Sequence, residues 1–183
     1  MNNNTIEPPE AQQSSYPDIS TSGSGDDSLE RREPASRVPA LKLPSLTPVV
    51  TYTLLGVTVL VFLLQVGTQN LLGLDIPAML GVKANEMIMR GQVWRLFTPM
   101  FLHGSILHLG FNMYALYVIG AGLERFYGHS RFLVLYVLAG FCGNVMSFLL
   151  TPAPSLGSST AIFGLLGAQG VFLYQNRRIF GRM

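Results

Sequence analysis

Between Val49 and Val66 the sequence reads VVTYTLLGVTVLVFLLQV, eighteen residues without a charge. An α-helix of that length is about 27 Å long, close to the roughly 30 Å hydrocarbon thickness of a bilayer. Backbone polar groups find no partners in lipid, so such a run crosses as a helix. Pro48 stands where the first turn of a helix tolerates proline. Three further stretches repeat the pattern: HGSILHLGFNMYALYVIGAGL over 103–123, FLVLYVLAGFCGNVMSFLL over 132–150, and the shortest, SSTAIFGLLGAQGVFLY, over 158–174. The expected fold class is an all-α membrane protein, a polytopic helical bundle.

Composition agrees. Of 183 residues 49% are hydrophobic and 12% charged, about half the charged fraction of a soluble domain. A formal net charge of +2, with no long basic run, gives no footprint for nucleic acid. The single cysteine, Cys142, excludes an intramolecular disulfide and a cysteine-based zinc cluster. Its apolar surroundings predict a buried packing residue. Residues 1–46 are rich in Asn, Gln, Ser, Pro, Asp and Glu, which predicts a disordered tail. Its start lacks the basic and apolar regions of a secretory signal.

Orientation follows from the twelve Lys and Arg residues. Arg31, Arg32, Arg37 and Lys42 precede the first span, Arg125 and Arg131 lie between the second and third, and Arg177, Arg178 and Arg182 follow the fourth. These share one side, and Lys83, Arg90 and Arg95 fall on the other. The tail is therefore expected in the cytoplasm, the second and fourth helices start at the outer face, and the plasma membrane is the expected location. The long connection over 68–102 mixes charges with Leu, Met, Phe and Trp, as a segment lying at the membrane interface does.

Polar side chains within spans usually face protein or water and mark function. On a helix running from 103, His108 would lie about 7–8 Å along the axis from His103. Asn112 is one turn beyond His108 on the same face. His and Asn side chains both donate to a developing alkoxide; simple interhelical hydrogen bonding is the alternative. No third ligand accompanies them, so no metal or organic cofactor is expected. In LGSSTAIFG, Gly157 permits a sharp entry to the fourth helix, whose first N–H groups favour an oxyanion. Ser159 there is an acyl-transfer nucleophile if a base takes its proton, or simply a helix cap. Small residues at Ala139, Gly143 and Ser147, and at Thr160, Gly164 and Ala168, recur every four positions, a pattern that lets membrane helices approach closely.

In order along the chain, Trp94-Arg95, His103-x4-His108-x3-Asn112, Glu124 and Gly128 within GAGLERFYGHSRF, and GSSTAIFGLLGA resemble the rhomboid family of intramembrane serine proteases. The resemblance covers about residues 49–180. It implies a serine endopeptidase that cleaves transmembrane segments near the outer membrane face, with membrane proteins and the bilayer as partners. Ser159 matches the nucleophile of the G-x-S motif, and His108 and Asn112 match the oxyanion hole. Trp94, Arg95, His103, Glu124, Gly128 and Gly157 match structural positions. Many relatives have glycine after the serine, where this chain has Thr160, a stiffer residue. The family's base histidine lies on a sixth helix, which implies two spans beyond these four and no proteolysis by the 183 residues alone. The alternatives are a non-catalytic rhomboid-like protein that binds transmembrane clients, or a transporter, which the absence of a carboxylate in mid-membrane disfavours.

Overall fold

The computed structural model describes residues 46–177; the expected disordered tail lies almost wholly outside them. Helix α1 spans Val49–Leu72, with Pro48 at its N-cap. It ends at Gly73, whose left-handed φ of 71° lets its N–H bond the Gln69 carbonyl, a terminus that glycine adopts without steric cost. Asp75 then opens α2 (Ile76–Gly81), its carboxylate accepting from Ala78 N at 2.9 Å, with Pro77 in the first turn. After α3 (Asn85–Met89), two 3₁₀ turns at Val93–Leu96 and Thr98–Phe101 complete a folded connection.

The second span begins later than the hydrophobic run suggests. Ser105 is the N-cap of α4 (Ile106–Ala115), its hydroxyl accepting from His108 N at 3.1 Å. Its extended backbone (φ −160°, ψ 163°) stops the helix there. His103 therefore lies in the loop before the helix, not one and a half turns above His108. A π-helical turn at Leu116–Gly120 joins α4 to α5 (Ala121–Tyr127). Gly128, at φ 82°, breaks the chain before α6 (His129–Leu150). The fourth, α7 (Ser159–Gln175), has 17 residues.

Three helical stretches, Val49–Leu72, Ile106–Tyr127 and His129–Leu150, are long and apolar enough to cross a membrane; α7 is slightly shorter. Among the described residues there is no strand, only one isolated antiparallel bridge between Lys83 and Ser155.

The core gathers Leu54, Met100, Leu116, Phe132, Tyr136, Ala161 and Leu165 from all four long helical stretches and the connection. The small-residue stripes interlock: a Cβ on Gly143 would lie 2.6 Å from Thr160 Cβ, and one on Gly164 would strike Ala139. Dispersion across that close approach holds α6 to α7 where lipid removes the hydrophobic drive. Cys142, in contrast, is exposed on α6. In a membrane helix an apolar run is no sign of burial, because lipid solvates apolar side chains as well as a core does.

Glu124 ties the first three spans together. It is fully buried, and its carboxylate accepts from Val50 N (2.8 Å), Thr51 N (2.7 Å) and Thr51 Oγ1 (2.7 Å), while His129 Nδ1 lies 2.6 Å from it. The two backbone donors are first-turn N–H groups with no helical partner, and the negative charge sits at the positive end of the α1 dipole. This fixes the start of α1, the end of α5 and the start of α6 at one side of the bundle.

Candidate active site

At the other side, the turn between α6 and α7 brings Gly157, Ser158 and Ser159 under the first turn of α4. Gly157 has φ 123°, a conformation that residues with a Cβ rarely adopt. A Cβ there would lie 2.8 Å from His108 Nε2 and 3.7 Å from Ser159 Oγ. The imidazole and the hydroxyl thus flank one point, which the glycine leaves open. Both side chains are half-buried, as a site that must be sealed yet reached requires.

Ser158, not Ser159, occupies the N-cap of α7, and its side chain makes no capping bond. Fully buried, its hydroxyl lies 3.3 Å from His103 Nε2. Ser159 is the first helical residue, so its backbone N–H is one of the unpaired donors of the helix start. Asn112 is buried one turn below His108, its amide donating to the His108 carbonyl at 2.8 Å. One of its two amide hydrogens is thereby committed to its own helix.

His103 braces this pair from the loop. Its ring stands edge-on to His108, centroids 5.0 Å apart, and its backbone N–H donates to Gln65 Oε1 at 3.0 Å. Gln65 in turn donates to Asp75 at 2.9 Å. Burial pushes the His103 imidazole down to about 4, with the neighbouring His108 adding to the shift. A neutral ring between Ser158 and His108 is a spacer, not a charge.

Arg95 ties together the connection before the site. Its buried guanidinium donates to Gln92 Oε1 (2.7 Å), Val82 O (2.9 Å) and Met79 O (2.7 Å), and the neighbouring Trp94 indole donates to Leu80 O at 3.1 Å. Sequence reasoning misses two residues of this region. Lys83, fully buried, donates to three carbonyls at the end of α6, and burial holds its pKa below the ordinary lysine value. Asn144 on α6 donates to Leu96 O at 3.0 Å. The visible signal for Lys83 is a lone ammonium amid apolar neighbours, which charge counting alone spends on topology.

A helical membrane protein with a serine at a helix start, a histidine beside it and a positive-φ glycine between them forms a narrow class. The Rhomboid domain model matches residues 90–183, and the chain belongs to the rhomboid family. It is 41% identical over 135 residues to "Rhomboid protease GluP" of Bacillus subtilis (strain 168), which covers 74% of this chain and 27% of that protein. "RHOMBOID-like protein 9, chloroplastic" of Arabidopsis thaliana is 42% identical over 106 residues, 58% of this chain and 24% of the relative. "Rhomboid-like protease 3" of Toxoplasma gondii is 48% identical over 77 residues, 42% of this chain and 29% of the relative. Each match thus spans under a third of the relative's length.

Proposed function

We propose that this chain carries the nucleophile and oxyanion-binding half of an intramembrane serine endopeptidase acting on transmembrane segments of other proteins. One observation carries the reading: Ser159 Oγ and His108 Nε2 flank the same open point at Gly157. Relatives that bear the word protease in their names support it.

In this reading Ser159 Oγ attacks the scissile carbonyl carbon while a base takes its proton. The base is the histidine that the resemblance places on a later helix. The carbonyl oxygen becomes an alkoxide held by the imidazole of His108, the remaining amide hydrogen of Asn112 and the Ser159 N–H. Donors already fixed before the reaction stabilise developing charge without reorganising, and removing one such donor typically slows turnover about 10²–10³-fold. Collapse of the intermediate breaks the C–N bond, the amine leaves with the proton, and water hydrolyses the acyl-serine. Nine of the twelve basic residues favour a cytoplasmic N-terminus, which puts Ser159 near the outer face; the plasma membrane fits this arrangement.

The test is covalent labelling of the full-length protein with a fluorophosphonate in detergent, read by mass spectrometry. Label on Ser159, lost in Ser159→Ala and slowed in His108→Ala, is the expected result. A folded wild type that takes no label would overturn the protease reading and leave a client-binding protein of the same fold.

A further inference from the structure

The α6–α7 turn, PAPSLG over 152–157, has two prolines, no charge and no regular structure of its own. Yet it must hold Gly157 at one height, since Gly157 sets the distance between His108 and Ser159. Lys83 reaches this turn from the connection before α4. The ammonium donates to Ser147 O at 3.2 Å, Thr151 O at 2.6 Å and Ala153 O at 2.8 Å. An ammonium has three hydrogens, so three converging carbonyls satisfy it fully. Two of these acceptors belong to the last turn of α6 and its cap: Ser147 O is shared with the Thr151 N–H at 2.9 Å, Thr151 O lies past the last helical turn, and the dipole there favours a cation.

The backbone of the same residue makes a second grip. Lys83 N donates to Ser155 O at 3.0 Å, and Ser155 N donates back to Lys83 O at 3.1 Å. Two residues on, Gly157 N donates to Pro99 O at 2.9 Å. Asn85 reinforces the end of α6 through Phe148 O at 2.8 Å. The end of α6 and the turn that presents the serine are therefore built against the connection preceding α4, through the side chains of Lys83 and Asn85, the Lys83–Ser155 backbone pair and the Gly157–Pro99 bond.

We propose that Lys83 is a positioning residue: it fixes the α6–α7 turn at the depth from which Gly157 presents Ser159 to His108. The proposal rests on the protease reading of Ser159. It assigns Lys83 no contact with substrate. Its effect runs through geometry, and misplacing a reacting group by about 1 Å costs on the order of 10²-fold in rate. Substrate binding is expected to be spared, because the Lys83 ammonium is taken up by the backbone carbonyls of Ser147, Thr151 and Ala153.

The experiment compares wild type, Lys83→Met, Lys83→Gln and Lys83→Arg in the full-length protein, reconstituted with a model transmembrane substrate and assayed well below each Tm. Lys83→Met keeps the length and removes every donor. The expected result is a kcat lower by roughly 10–100-fold with KM within about twofold, and Ser159 labelling slowed in parallel. Lys83→Gln, with two donors, is expected to lose less, and Lys83→Arg, which keeps the charge, to recover part of the rate. Wild-type kcat in folded Lys83→Met or Lys83→Gln overturns the proposal, as does a rise in KM alone. Failure of both variants to fold overturns it too, since Lys83 then serves folding as a whole. A wild type that neither cleaves nor labels overturns the protease reading itself, and the role of Lys83 in presenting the nucleophile falls with it.

Discussion

Gly157 and His108 stand so close that a single added methyl would collide with the imidazole, at 2.8 Å from both Cε1 and Nε2. The glycine's φ of 123° adds a second barrier to any side chain there. A backbone forced from such a region costs about 1–3 kcal/mol, and overpacking a filled site costs a similar amount. Gly157→Ala is therefore expected to slow labelling of Ser159 at least tenfold. The measurement is the second-order labelling rate beside the Tm. A near-normal rate in the alanine variant would mean that the imidazole has room to retreat and the site is looser than it looks.

Glu124 serves stability at the opposite end of the bundle. In Glu124→Gln an amide replaces the charged acceptor, and its NH₂ group faces N–H donors on one side. Buried hydrogen bonds to charged groups contribute about 1.5–3 kcal/mol each, so a loss of a few kcal/mol is expected. Thermal unfolding in detergent reads it. Thr51→Val removes one of the four contacts and should lie between wild type and Glu124→Gln; equality of all three would show the carboxylate to be dispensable.

Arg95→Lys tests the connection. One ammonium cannot reproduce a fork that reaches Gln92, Val82 and Met79 at once. Faster amide exchange across 79–97 is expected, with α6 protection unchanged. Exchange that stays at the wild-type rate would show that Trp94 and Asn144 suffice to hold the segment.

How much of this was legible beforehand depends on what kind of force sets each feature. The spans follow from uncharged runs and the first start from Pro48, because bilayer thickness and backbone sterics act locally; the apolar runs stop short of the true ends at Gly73 and Gly128. Ser159, His108 and Asn112 stand out as polar groups in apolar helices. The span pattern places the start of the second helix at His103, whereas α4 starts at Ile106; Ser105, three residues before His108, is an ordinary cap signal. The apolar run around Cys142 predicts burial where the structure exposes it, because burial in lipid and burial in protein have the same sequence signature. The partners of Lys83 and Gln65 are out of reach for a different reason: they are backbone carbonyls, a carboxylate and an N–H brought together only by the tertiary fold.

Gly143 in the α6 stripe and Gly56 in α1 make a contrasting pair of helical glycines. Gly143→Val forces a branched side chain against Thr160 and should destabilise the α6–α7 contact by about 1–3 kcal/mol, tilting α7 and slowing Ser159 labelling. Gly56→Ala, in α1, meets nothing within 4 Å and should stabilise by roughly 0.5–1 kcal/mol through helix propensity alone. Unfolding temperatures of the two variants should therefore move in opposite directions. Equal shifts would mean that propensity, not contact, governs both sites.

His103 makes stability depend on pH. Its folded pKa, about 4, lies below the ordinary histidine value of 6.5, so between those values the unfolded chain binds more protons than the folded one. Stability from the neutral ring is fully present above about pH 6.5 and drains away as pH falls toward 4, by about 3 kcal/mol at most. The Tm of wild type should decline over that window, and His103→Gln, which cannot gain a proton, should flatten the decline while losing some stability at neutral pH. A variant that keeps the full acid limb would place the proton uptake elsewhere and leave the His103–Ser158 contact a weak one.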